Sequence, residues 1–158
     1  MAERTNFSND LVWQTTRGYN AFLVKSRSGG GSQFSRDPMN LVNQHSYKND
    51  GYANKKAIGV QATDNGGIVA MTKKQGNTHQ PAKNVVSVTY GPNTPTRKIY
   101  KGVADKTAKN NYRGDLREDA VARVSAIRDT QRPKKDAPPK KLRGMQAKKA
   151  AETATEVA

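Results

Sequence analysis

Leucine, isoleucine, valine and phenylalanine fill only 24 of the 158 positions, and this scarcity sets how large a core the chain can build. The share is about 15 %, below the ~20 % at which high charge begins to favour disorder. Against it stand 28 lysines and arginines and 13 acids, a net charge of +15. The expected product is one modest folded unit that leans on a partner, with disordered ends. A net field of that sign attracts phosphate at long range, so the implied partner is a polyanion. Cysteine is absent, which removes disulfide and thiolate-metal frameworks and fits a reducing compartment. The opening residues MAERTNFSND lack the apolar run of a signal peptide, and no stretch approaches the ~18 apolar residues of a membrane span. A soluble intracellular protein with no membrane partner is expected.

Periodicity divides the chain into elements. Ser8 is placed to cap a short helix through Leu11, Val12 and Trp13, ending near Gly18. AFLVK, residues 21–25, has the length of a strand, and SRSGGGSQFSRDP, residues 26–38, reads as a loop. AIGVQAT (57–63), IVAMTKK (68–74) and NVVSVTY (84–90) read as a meander, joined by the DNGG turn (64–67) and the looser QGNTHQPAK (75–83). After GPNTP the period changes. Thr94 before Pro95 resembles an N-cap followed by proline at the first helical position. Ile99, Val103 and Thr107 then repeat every four residues towards Asn110. A second helix is expected over 115–130. From Pro133 onward the chain is rich in Pro, Lys and Ala and is expected to be disordered until it meets its partner. The fold class is therefore α+β: a small antiparallel β-meander with a short N-terminal helix and two C-terminal helices, followed by a basic tail. The expected boundaries are an extension over 1–8, a binding domain over 9–131 and a basic extension over 132–158.

Charge concentrates late in the chain. Residues 1–96 carry 11 basic and 5 acidic side chains, residues 97–149 carry 17 and 6, and the last nine residues add two acids. On a helix over 115–130, Leu116, Ala120, Val124 and Ile127 fall within a stripe of roughly 80°, a core-facing seam. Arg117, Arg128 and Arg132 lie to one side of it, and Asp115, Glu118, Asp119 and Asp129 lie opposite. Helix electrostatics alone accounts for much of this: acids occupy the first turn, arginines the last, and Asp119 and Arg123 form an i,i+4 pair. The neighbourhood favours nucleic acid over an ordinary solvated face. RPKKDAPPKKLRG adds Lys134, Lys135, Lys140, Lys141 and Arg143 directly after Arg132. The preceding helix carries Arg97, Lys98, Lys101, Lys106 and Lys109. Tyr112 and Arg113 stand at the joint, where a ring and a guanidinium can both stack on exposed bases. Arg17, Lys25, Arg27, Lys48, Lys55, Lys56, Lys73 and Lys74 complete the set of candidate nucleic-acid-binding residues. Lys/Arg clusters in the tail also suit a nuclear import signal.

These residues carry a resemblance. NNYRGDLREDAVARVSAI, with NAFLVKS near the start and KKAIGV in the middle, is similar to the eukaryote-specific large-subunit ribosomal protein family numbered twenty-eight, which is unrelated to the bacterial family of that number. The similarity runs in order from about Leu11 to Arg132. It includes Trp13, Phe22, Leu23, Lys25, Asn40, Leu41, Lys56, Gly59 and Val60, and later Asn111, Tyr112, Arg113, Asp115, Leu116, Arg117, Ser125, Ala126 and Ile127. The chain departs from the family pattern at SGGGS, at Gly114 where a proline is familiar, and in its Ala- and Glu-containing end. The resemblance implies a small α+β domain docked on large-subunit ribosomal RNA beside neighbouring ribosomal proteins, without catalysis and without homo-oligomers. It implies a cytoplasmic ribosome as the destination, with nucleolar passage during assembly. No cofactor is expected beyond structural Mg²⁺ held by RNA. A related domain also occurs in a longer assembly factor with an acidic extension that this chain lacks. A ribosome-assembly factor and a generic chromatin or DNA-binding protein are the two competing functions.

Other constellations carry less. His45 and His79 have no neighbouring ligand pattern and read as loop histidines. No serine or acid pair has a recognisable catalytic setting, and SGGGS lacks the Gly-Lys-Ser/Thr that completes a phosphate-binding loop. Trp13 reads as an anchor for the first helix rather than a stacking platform. Tyr19, Tyr47 and Tyr52, set among Arg17, Lys48, Lys55 and Lys56, admit two uses: packing at the domain edge or stacking on RNA.

Overall fold

The computed structural model describes residues 7–28, 30–76, 80–138 and 141–149. Helix α1 (Asn9–Thr16) starts as its sequence dictates: Ser8 is extended, and its hydroxyl accepts from the Leu11 N–H at 3.1 Å. Strand β1 (Leu23–Lys25) pairs antiparallel with β2 (Gln33–Ser35) in a two-stranded ribbon. The 26–38 segment was expected to be loop throughout, but its last part returns as β2. Three residues with one aromatic give no periodic signal, and the strand exists because β1 lies beside it. A second sheet holds β3 (Ile58–Ala62), β4 (Ile68–Lys73) and β5 (Val85–Tyr90) in the order β3-β4-β5, all antiparallel. This is the expected meander. A four-residue helix, α2 (Pro81–Asn84), interrupts the loop before β5, with Pro81 in its first turn.

The C-terminal half folds back over this sheet. Helix α3 (Thr96–Ala108) begins later than the Thr94–Pro95 pattern suggests. Pro95 itself takes the cap position with ψ 133°, and its carbonyl accepts the N–H groups of Lys98 and Ile99. The Thr94 N–H is spent on Gly91 O, closing the preceding turn. After α3, Asn110 and Asn111 adopt left-handed backbone (φ 59° and 53°), which asparagine tolerates better than most residues. They reverse the chain into a tight turn, Gly114–Leu116, and helix α4 (Arg117–Gln131) follows. Beyond it, residues 133–138 have no regular structure and 145–149 form a helical turn.

Residues opposite one another in register share a face. One face of the second sheet therefore presents Ile58, Val60, Ile68, Ala70, Thr72, Val86, Val88 and Tyr90. Against it pack Ile99 and Val103 from α3 and the expected seam of α4, in which Leu116, Ala120 and Val124 are at most 3 % exposed. Gly102 lets α3 approach closely, because a side chain there would strike the Tyr90 hydroxyl. The opposite face carries Gly59, Met71, Lys73 and Val85. The 37–39 segment lies so close to Gly59 that a β-carbon would overlap Pro38 O and come within 2.9 Å of Met39 Cα. Gly59→Ala is accordingly expected to cost about 2 kcal/mol in urea unfolding, since backbone on both sides must move.

Candidate nucleic-acid interface

The joint between α3 and α4 is built around Tyr112 and Arg113. The Tyr112 hydroxyl donates to Lys73 O at 2.6 Å, with Ala57 O at 3.2 Å. Burial raises its pKa, opposed by the hydrogen bonds to Ala57 and Lys73 and by the charge of Arg113. Arg113 forks onto Asp115 through Nε and Nη2 at 2.9 and 2.8 Å, and reaches Lys56 O at 3.0 Å and Lys48 O at 2.8 Å. The Arg113 hydrogen bond holds the Asp115 carboxyl below the usual carboxylate value. Both residues were named for stacking on bases. The structure shows their polar ends holding the joint against the β3 entry and, through Lys48 O, against the 47–49 turn.

Two more candidate cations have internal partners. The Lys73 ammonium donates to Gly51 O and Asn54 O at 3.0 Å and to Tyr52 O at 3.3 Å. Desolvation lowers its pKa, while Asp37 and Asp50 raise it. Arg128 donates through Nη1 to Gly66 O and Pro92 O at 3.3 Å and through Nη2 to Thr94 O at 3.1 Å. It thereby ties α4 to the β3–β4 turn and to the loop before α3, a use the dipole argument did not anticipate. Asp119, paired in the sequence reading with Arg123, meets Lys48 at 3.5 Å, and Arg132 meets Asp129 at 3.5 Å with both side chains 72 % exposed.

Beside the joint lies a cleft of about 460 Å³, lined by Lys56, Thr72, Gln75, Asp105, Lys106, Lys109, Asn110 and Tyr112. Three lysines against one carboxylate give it a positive balance. Lys56 Nζ stands 5.7 Å from the centroid of the Tyr112 ring, a cation–π arrangement, and lies 3.4 Å from Asn111 O. The left-handed pair Asn110–Asn111 is what brings the end of α3, with Lys106 and Lys109, round to face Lys56. Three lysine side chains beside one cavity are the kind of grouping that can neutralise a phosphate.

The remaining candidates stay on the surface. Arg17, Lys25, Arg27, Lys55, Lys74, Arg97, Lys98, Lys101, Arg117, Lys134, Lys135, Lys141 and Arg143 are all exposed; Lys140 and His79 lie outside the described residues. Arg36, Lys83 and Lys148 are equally exposed, though no motif singled them out. Trp13 packs on the His45 ring at 4.9 Å and the Tyr47 ring at 5.8 Å. It anchors α1 to this loop and not to the main core. His45 Nε2 is 3.0 Å from Arg17 O, which fixes that nitrogen as the protonated donor. Of the three tyrosines with two possible uses, Tyr19 and Tyr52 are the more open, 82 % and 63 % exposed. Among the described residues, no group of histidines and acids is arranged to hold a metal ion, and no helix is long and apolar enough to cross a membrane.

The chain matches the Ribosomal L28e protein family over residues 11–130. It is 43 % identical over 133 residues to the large ribosomal subunit protein eL28 of Schizosaccharomyces pombe, covering 81 % of this chain and 96 % of that protein. The eL28 protein of Dictyostelium discoideum is 33 % identical over 136 residues, covering 86 % and 98 %. That of Caenorhabditis elegans is 35 % identical over 120 residues, covering 76 % and 87 %.

Proposed function

The chain belongs to the ribosomal L28e protein family, and from that premise we propose that it is a structural constituent of the large subunit of the cytoplasmic ribosome, binding ribosomal RNA beside neighbouring proteins. The family is a structural one and not a family of enzymes. The observation that carries the reading is the extent of the match: it spans the folded unit from α1 to the end of α4, including the lysine cleft and the joint that shapes it. Lysines of the cleft neutralise phosphates and set position, which reads no sequence by itself. Placement on a particular RNA comes from its shape, from stacking on unpaired bases and from protein neighbours.

Magnitudes support a cooperative assembly. Binding through 6–10 phosphate contacts alone loses roughly 10³–10⁵ in affinity between 50 and 200 mM salt, on the DNA-based estimate. Free protein therefore binds RNA weakly at cellular salt, and stable incorporation needs the folded domain together with the tail. Deleting residues 133–158 is expected to weaken RNA binding and flatten its salt dependence while leaving the domain folded. An unchanged salt slope in filter binding would remove the tail from the interface. The function itself is tested by sucrose-gradient fractionation of tagged protein from growing cells, with a salt wash. Stoichiometric presence in washed large subunits and polysomes is expected. Presence only in pre-ribosomal fractions would make the protein an assembly factor that passes through the nucleolus and leaves.

A further inference from the structure

The short ribbon of β1 and β2 turns one face to solvent, and strand alternation sets what that face carries. Along β2 and just beyond it, Ser35 and Asp37 are buried at 6 % and 7 % exposure, which leaves Phe34 and Arg36 on the outer side. Phe34 is 48 % exposed. Val24 stands opposite it on β1. On the other side the 43–45 segment adds a strand-like edge, where Phe34 and Gln44 form an antiparallel bridge. It is closed by the Ser35 N–H donating to Asn43 O at 2.7 Å and the His45 N–H donating to Gln33 O at 3.3 Å. Phe34 is therefore the centre of a row running Val24, Phe34, Gln44, with Arg36 two residues further along β2.

The charges around this row identify what it meets. Residues 11–49 carry five basic side chains and one acid, Asp37. That carboxylate is spent internally, accepting from the Met39 and Gly51 N–H groups at 2.9 Å. Arg17, Lys25, Arg27 and Arg36 are all exposed, and Lys25 and Arg27 lie at the hairpin end of the ribbon. Among the described residues, neither the Arg36 guanidinium nor the Gln44 carboxamide has a partner. An apolar side chain from a neighbouring protein would cover Phe34 but take water from the adjacent guanidinium without supplying a counter-charge. A nucleotide supplies both requirements, because one short unit carries a flat base and a phosphate. Phe34 and Arg36 stand roughly 7 Å apart along the strand, within the reach of such a unit. Aromatic rings and guanidinium planes are also the side chains on which unpaired RNA bases stack.

We propose that the outer face of this ribbon is a stacking platform for single-stranded RNA, with one unpaired base on the Phe34 ring and its phosphate on Arg36. The platform is built from other elements than the lysine cleft at the joint of α3 and α4. The inference rests on the RNA-binding reading above and adds to phosphate neutralisation a contact that only an unpaired base can make. Stacking tolerates any base, so the platform selects single strands rather than a sequence.

The test uses the full chain and two short single strands: a wholly abasic ribose-phosphate backbone, and the same backbone carrying one central adenine as the probe. The wild-type protein is expected to bind the adenine strand about tenfold more tightly, the scale of one base stacked on an aromatic ring. Phe34→Ala, at a half-exposed position, is expected to abolish that difference, and Phe34→Trp to retain it. Arg36→Gln is expected to weaken both strands alike and to lower the salt slope by about 0.7, one phosphate contact on a single strand. Equal binding of the two strands by wild-type protein overturns the inference while leaving phosphate binding intact. It is also the result expected if the face receives a protein side chain. A preference for adenine that survives Phe34→Ala overturns it as well, by placing the base elsewhere. Unchanged affinity in Arg36→Gln overturns the phosphate contact and with it the two-point platform. Failure to bind either strand at low salt would overturn the RNA-binding reading first and this inference with it.

Discussion

Arg113→Ala is expected to lower folding stability by about 3 kcal/mol, measured by urea unfolding of the purified protein. The Arg113 side chain is only 16 % exposed, and its guanidinium serves two backbone carbonyls and one carboxylate at once. Removing it strands Lys56 O just before β3 and Lys48 O in the 47–49 turn, and each lost bond to a charged donor is worth roughly 1.5–3 kcal/mol. The Asp115 pair contributes less, because that side chain is 46 % exposed and solvent screens it. Arg113→Lys keeps the charge but loses the fork, so it is expected to recover only part of the stability. A pH signature accompanies the loss. The Arg113 bond depresses the Asp115 carboxyl below its ordinary value of 3.8. The stabilisation it brings is therefore complete at neutral pH and fades as pH falls from that value through the folded one. In Arg113→Ala the acid limb of the stability curve should lose this component. A loss under about 1 kcal/mol, the scale of a surface ion pair, would show that the joint is held by Tyr112 and packing instead.

The parts of the fold written in repeating patterns were legible from the sequence. Ile58 and Val60, Ile68 and Ala70, and the four-residue spacing of Ile99, Val103 and Thr107 each announce a buried face, and those faces meet in the core. The Ser8 cap was equally legible, because it depends on neighbours three residues apart. Strand β2 was not, since its order comes from a partner eight or more residues away. The cationic side chains show the same limit. Lys73 and Lys74 look alike as residues in a chain of net charge +15. Yet strand alternation turns Lys73 onto the 51–54 carbonyls and leaves Lys74 exposed. Arg128 was legible as helix-end charge, but its carbonyl partners come from two loops distant in sequence. The cleft needed the left-handed turn at Asn110 and Asn111, which a pair of asparagines permits without announcing.

That division between committed and available cations gives the second large effect. Replacing Lys56, Lys106 and Lys109 together by glutamine is expected to weaken binding to ribosomal RNA about a hundredfold near 0.1 M salt. It should also reduce the slope of log K against log salt by about 2, at roughly 0.7 per phosphate contact on a single strand. All three lysines line the cleft, and among the described residues only the 3.4 Å contact of Lys56 to Asn111 O ties one of their ammonium groups to the backbone. Folding should therefore survive, as circular dichroism and urea unfolding would confirm. Lys73→Gln is the informative contrast, because the same change in formal charge falls on an ammonium already bonded to three carbonyls. It is expected to reduce stability and to leave the salt slope unchanged. If both variants lowered the slope equally, net charge alone would govern association and the cleft would have no special place in it. If neither did, the phosphate contacts would lie on the exposed lysines and arginines of the surface and tail, and the turn at Asn110–Asn111 would serve only to join two helices.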